Sequence, residues 1–143
     1  MRQFNARAFT LIEIILVMTI IGIIAALVIP NVAGRGQEAR VSAASVDVES
    51  NIPAALDLYE LDNGQYPTTE QGLAALLQAP TTSPVPGHWN GPYLKKKKVP
   101  VDPWGQPYGY TSPGIHNTEE FDLFSYGLDG VESSDDIVNW LVE

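Results

Sequence analysis

The chain has 143 residues, with 8 Lys and Arg against 17 Asp and Glu, two His and no Cys, for a formal net charge of −9. So acidic a composition argues against nucleic acid as a partner, because that binding depends on many phosphate-neutralising cations. The missing cysteines exclude disulfides, thiolate metal sites and a cysteine nucleophile, and the length allows one domain plus an appendage.

The first stretch, MRQFNARAFTLIEIILVMTIIGIIAALVIPNVAG, carries no charge between positions 14 and 32. A helix of that length can span a hydrocarbon core. Three readings compete. A single-pass anchor would keep Arg2 and Arg7 cytoplasmic and send the rest of the chain across the membrane. A secretory signal peptide fits poorly: the run is too long for an h-region, contains Glu13, and offers Asn31-Val32-Ala33 in place of a small-x-small cleavage site. The third reading has residues 1–8 as a polar leader removed ahead of Phe9. Residues 9–32 then remain as a transmembrane and filament-core helix, and 33–143 form a soluble domain.

Glu13 separates the three. A carboxylate inside a membrane helix costs about 2.5–3.5 kcal/mol on insertion scales and needs a partner. A plain anchor supplies none, whereas cleavage before Phe9 creates an α-ammonium four residues away, about 6 Å along the axis. A neighbouring subunit offset by that rise would bring its own amino terminus level with Glu13. Both charges would then be neutralised, and subunits would stack with a fixed stagger.

Phe9-Thr10-Leu11-Ile12-Glu13, the apolar run behind it and Pro30 resemble the start of type IV pilins and type II secretion pseudopilins. The resemblance implies that a prepilin peptidase cuts between Ala8 and Phe9, that Phe9 becomes N-methylated, and that Glu13 serves assembly. Ala8 stands where that family has Gly; being small, it is compatible with cleavage.

The helical pattern continues past Asn31. Val41, Ala44, Val48, Ile52, Ala55, Leu56 and Tyr59 recur at three- and four-residue steps and predict an apolar stripe. Asp47, Glu49, Asp57 and Glu60 lie off it, as a solvated face. Asn63-Gly64 ends the helix. Pro30 marks a hinge or melted turn in an assembled form, and Pro53 a bend. A second, short helix is predicted from the Thr68/Gln71 capping box, with Leu73, Leu76 and Leu77 on its apolar face and Pro80 as its stop.

Eight of the 11 prolines fall between Pro80 and Pro113, interleaved with Trp89, Tyr93, Trp104, Tyr108 and Tyr110. Prolines oppose helix here, while the aromatic area pins the loop to a core. Asp102-Pro103-Trp104-Gly105 fits a type I turn. Strands are predicted at 108–112, 121–126 and 137–140, as a small antiparallel sheet.

VPVDPWGQPYGY and LDNGQYPTTEQGLAAL narrow the resemblance to the major pseudopilin of type II secretion. The fold it implies is α+β and pilin-like. A long amino-terminal helix, its first half membrane-spanning, packs on a short helix, an ordered Pro-rich loop and a three-stranded antiparallel sheet. The implied role is structural, with no catalysis: a helical homopolymer in the periplasm that helps export folded proteins. Its implied partners are minor pseudopilins, an inner-membrane platform with its ATPase, the prepilin peptidase and, indirectly, an outer-membrane secretin. Two rivals remain open. A surface type IV pilin shares the amino terminus, although such pilins usually carry a C-terminal disulfide loop. A membrane-anchored periplasmic enzyme or binding domain would not need Glu13.

SYGLDGVESSDDIVNW concentrates Asp129, Glu132, Asp135 and Asp136 in a Gly/Ser-rich loop. Taken alone, it reads as a solvated acidic loop, and its spacing is not that of an EF-hand. The resemblance implies a structural Ca²⁺ site, with the side chains of Asp129, Asp135 and Asp136 and backbone carbonyls near Tyr126 and Ser133 as ligands. Such hard oxygen donors suit that ion. The lysines at 95–98 read as a solvated loop or as a contact for acidic faces of neighbouring subunits. His88 and His116 read as isolated surface residues. No GxSxG, P-loop, HExxH or zinc pattern occurs.

Overall fold

The computed structural model describes residues 9–141, the side chains of residues 27–35 excepted. The leader, Ala8 included, and the side chain of Pro30 therefore lie outside the described residues. Two compact units are distinguished, one ending at Glu38 and the other Ala39–Glu143.

Helix α1, Leu11–Val46, begins in the first unit. Over residues 11–24 its apolar side chains are exposed on every side, from Leu11 at 80% through Met18 at 66% to Ile24 at 55%. A helix apolar all round belongs inside lipid or among like helices. Its few polar groups are satisfied locally, as where the Thr19 hydroxyl donates to the Ile15 carbonyl at 2.7 Å. Among the described residues no helix is long and apolar enough to cross a membrane. The predicted span at 14–32 extends into the side chains that are not described. The backbone of α1 is helical through position 30.

In the second unit the end of α1 passes into a π-helical turn, Asp47–Asn51, and then into α2, Ile52–Asn63. Where the sequence predicts a bend at Pro53, the helix changes type just ahead of it. Pro53 has no N–H to offer a preceding carbonyl, and it sits in the first turn of α2, where a helix needs none. The wide π turn keeps Ala44, Val48 and Ile52 in line, so these three and Ala55, Leu56 and Tyr59 are all buried. Val41, predicted on the same stripe, is 41% exposed and off the core. Gly64, at φ 81°, caps α2 by donating its N–H to the Glu60 carbonyl at 2.6 Å.

The Thr68/Gln71 capping box forms as predicted: the Thr68 N–H donates to Gln71 Oε1 at 3.1 Å and the Gln71 N–H to Thr68 Oγ1 at 3.3 Å. An α-helix does not follow. Gly72, at φ 56°, breaks the run, and only a 3₁₀ turn, Leu73–Leu76, remains. That turn still buries Leu73 and Leu76 against the stripe, with Leu77 half-buried. Gln71 Nε2 also donates to the carbonyls of Thr82 and Pro84, tying down the Pro-rich loop. The loop is held again where Trp89 Nε1 donates to the Ala75 carbonyl and the Tyr93 N–H to that of Leu76, each at 2.8 Å.

Strands β1 (Gly109–Thr111), β2 (Asp122–Ser125) and β3 (Ile137–Val138) form an antiparallel sheet in that order, each shorter than predicted. Gly109 pairs with Phe124, whose ring fills the space a Cβ at 109 would need. Tyr108, Phe121, Leu123 and Ile137 complete the core.

Three tyrosines reach back to carboxylates of the helical run. Tyr108 donates to Asp47 at 3.0 Å, Tyr66 to Asp57 at 3.1 Å and Tyr93 to Asp62 at 2.8 Å. Asp47 and Asp57, read from spacing as solvated, are thus engaged. Burial first, and then the accepting carboxylates, push the Tyr66 and Tyr108 hydroxyls well above the usual phenol range.

Candidate functional site

Two regions carry the functional expectations, the head of α1 and the loop between β2 and β3. At the first, Glu13 and Thr10 form a reciprocal cap. The Thr10 N–H and hydroxyl each donate to Glu13 Oε2 at 3.1 Å, and the Glu13 N–H donates back to Thr10 Oγ1 at 3.3 Å. A carboxylate in the first turn also faces the positive end of the helix dipole. Within one chain, Glu13 therefore already has a partner that was not anticipated. The Thr-x-x-Glu pattern that marks it stands in the sequence at 10–13, in the form that was recognised at Thr68/Gln71.

The second region is the loop 126–136. Gly127 and Gly130 both adopt φ +69°, a left-handed conformation that strains any residue with a Cβ, and they turn the loop back on itself. Each expected acid is engaged locally through one oxygen. Asp129 Oδ1 accepts the Val131 N–H and Asp136 Oδ1 the Ser133 N–H, both at 3.2 Å, while Asp135 Oδ1 accepts the Ser133 hydroxyl. The Ser133 carbonyl accepts the Asp136 N–H at 3.4 Å. Tyr126 is anchored by its ring, edge-on to Phe124 at 5.0 Å. Asp135 folds over Gly127: a Cβ there would stand 3.6 Å from its carbonyl oxygen and 3.7 Å from Oδ2.

This donor set, three carboxylates and turn carbonyls on one exposed loop, fits a hard cation in kind. Among the described residues, however, no three acidic or histidine side chains stand together as a ready-made cage.

The loop is braced from below. Asp102, 3% exposed, accepts the N–H groups of Trp104 and Gln106 on Oδ1 at 3.0 and 2.8 Å. The Gly105 N–H closes on the Asp102 carbonyl at 3.0 Å, which makes the expected turn. Asp102 Oδ2 accepts the Ser125 hydroxyl at 2.6 Å, and Ser125 Oγ accepts the Gly127 N–H at 3.1 Å. Spacing alone does not join residue 102 to residue 125.

His116 is not isolated. Its ring stacks on Trp140 with centroids 4.1 Å apart, and Nδ1 lies 3.0 Å from Asp122 Oδ2. The N–H groups of Ile115, His116 and Asn117 also converge on Asp122.

An apolar helix headed by one carboxylate, joined to a small α+β unit with an acidic β2–β3 loop, defines a pilin-like subunit. The comparisons with known proteins specify which. Residues 31–140 match the family described as "Type II secretion system (T2SS), protein G", and residues 3–29 match the "Prokaryotic N-terminal methylation motif". The chain is 50% identical to the type II secretion system core protein G of Pseudomonas aeruginosa, covering 98% of this chain and 99% of that one. It is 46% identical to the core protein G of Dickeya chrysanthemi, over 95% of this chain and 87% of that one. Among solved structures it resembles the major pseudopilin of the type 2 secretion system of enterohaemorrhagic Escherichia coli. The TM-score is 0.66 at 40% identity, over 75% of this chain and 87% of that chain. The chain belongs to the type II secretion system protein G family, that of the major pseudopilins.

Proposed function

We propose that a prepilin peptidase cleaves this chain between Ala8 and Phe9 and that the new terminus is N-methylated. Residues 9–32 hold the product in the inner membrane, with its carboxy-terminal domain in the periplasm. From there it polymerises into a helical pseudopilus that helps move folded proteins out through the outer membrane. The reading requires minor pseudopilins, an inner-membrane platform with its ATPase and, indirectly, an outer-membrane secretin. The observation that carries it is the surface of α1 over residues 11–24, where the apolar side chains are exposed on every side and the one charge is a carboxylate in the first turn. In the polymer, Glu13 exchanges its Thr10 cap for the α-ammonium of a neighbour, an ion pair available only after cleavage.

Two flanks of α2 support a head-to-tail contact. One groove, of about 560 Å³, combines Ala54, Leu58 and Val101 with Lys95, Lys96 and Lys98. Another, of about 450 Å³, combines Pro53, Phe121 and Trp140 with Glu49, Asp57 and Glu120. Opposite charges on two different patches of one subunit favour a heterologous contact, which propagates as a helix when the rotation does not close.

The loop 126–136 serves in this reading as a structural calcium site. Asp129, Asp135 and Asp136 would hold the ion, with backbone oxygen from Tyr126 and Ser133, and the ion would supply the charge that draws these acids together. Electron microscopy of filaments from cells expressing the chain, with mass spectrometry of its native amino terminus, tests the assembly reading. A mature chain starting at methylated Phe9 supports it. Filaments built from chains that still carry Met1 would overturn it.

A further inference from the structure

We propose that Asp102 is a positioning residue for the cation loop, acting through Ser125; this rests on the reading of loop 126–136 as a calcium site. Asp102 and Ser125 are 3% and 0% exposed, and among the described residues no cation pairs with Asp102. A buried charge with no counter-ion is costly unless its hydrogen bonds are complete. Its two bonds to the turn, from the Trp104 and Gln106 N–H groups, could be accepted as well by an asparagine oxygen.

The bond that demands an acid is the third. Asp102 Oδ2 can only accept, so it compels the Ser125 hydroxyl to donate, and Ser125 Oγ is left to receive the Gly127 N–H. An amide nitrogen at that place would donate to Oγ and leave the serine proton without an acceptor. The Asp102 carboxylate thereby fixes the serine hydroxyl as donor in a two-bond relay that runs from the Gly127 N–H through Ser125 Oγ to Asp102 Oδ2, and Gly127 is the left-handed residue over which Asp135 folds. The same turn comes near the loop a second time, Gln106 Nε2 lying 3.8 Å from where a Cβ on Gly130 would stand. Residues at 102–106 thus hold one point of the cation loop and lie close to a second without belonging to it.

Groups that orient ligands in this way typically contribute a factor of about 10–100 in metal affinity. The test is calorimetric titration of the full-length chain in detergent with calcium chloride. Unmodified protein is compared with Ser125→Ala, Asp102→Asn and Leu76→Ala, the last truncating a buried side chain that takes no part in the relay. Ser125→Ala and Asp102→Asn are expected to raise the calcium Kd about 10- to 100-fold. Leu76→Ala is expected to lower the melting temperature while keeping the Kd of the unmodified chain. Unchanged affinity in both relay variants, or equal weakening in Leu76→Ala, overturns the proposal. Should Ser125→Ala fail to fold, Asp102→Asn, which keeps the turn's shape, decides alone. Absence of binding in the unmodified chain is a separate result: it removes the cation reading, and this inference with it.

Discussion

Glu13 closes a reciprocal cap with Thr10, its Oε2 accepting the Thr10 N–H and the Glu13 N–H donating to Thr10 Oγ1. Gln satisfies the same motif as well as Glu does. Capping and charge can therefore be separated at this position by one substitution. Glu13→Gln is expected to leave helix content and membrane insertion unchanged while abolishing filaments or making them irregular, as seen by electron microscopy and by cargo in the medium. Normal fibres from this variant would mean that the charge has no part in assembly.

Leu56 and Leu58 stand two residues apart on α2 with opposite surroundings. Leu56 is 0% exposed and Leu58 is 52% exposed, beside the lysines. Leu56→Ala is expected to cost about 2–5 kcal/mol of unfolding free energy, as other buried leucine truncations do. Leu58→Ala should change stability by less than about 0.5 kcal/mol, the range usual for surface sites. If the lysine-bearing groove is a subunit contact, Leu58→Ala should nonetheless reduce filament yield. Denaturant melts and filament counts on the same pair of variants separate the two effects.

Charge exchange tests the partner of that groove. Lys96→Glu with Lys98→Glu should suppress assembly by placing acid against acid. Adding Asp57→Lys on the opposing flank should restore part of it. Failure of every such compensating pair, Glu49 and Glu120 included, would leave the lysines as a solvated loop.

Asp122 is expected to contribute to the acid limb of stability. Burial pushes its carboxyl up, but the N–H groups of His116, Asn117 and Ile115 and the His116 ring outweigh that and hold it below the ordinary aspartate range. A depressed folded value stabilises the native state above the unfolded pKa of about 3.9, and the contribution is lost as pH falls through the folded value. Asp122→Asn is therefore expected to cost about 1.5–3 kcal/mol at pH 7, the usual worth of hydrogen bonds to a charged group. It should also flatten the loss of stability below about pH 4. Urea melts at pH 7 and along the acid limb check both parts; an unchanged acid limb would assign the pH dependence to other carboxylates.

Calcium should act as a ligand of the folded state alone. At a hundredfold excess over Kd it adds about 2.7 kcal/mol by mass action. A chelator should then lower the melting temperature of the unmodified chain and leave that of Asp129→Asn with Asp135→Asn unmoved. A chelator effect of equal size in that double variant would place the ion elsewhere.

Local rules account for what was legible in the residues. Period-3.6 burial, the Asn63-Gly64 stop and the turn at Asp102 each depend on neighbours within a few positions, and each formed. The failures have local causes too. The Thr68/Gln71 box could not propagate through Gly72, and the strands were trimmed where pairing ran out. Val41 left the stripe one turn before the core begins.

The chain by itself determined a helix that water cannot cover, a lone acid at its head and a cluster of hard oxygen donors near its end. These are matters of composition and short spacing. Folding alone decided that Tyr108 would occupy Asp47, that His116 would lie on Trp140, and that Asp102 would reach Gly127 through Ser125. Those contacts join positions that no periodicity relates, because hydrogen-bond geometry is settled only once the intervening chain has been wound into one three-dimensional path.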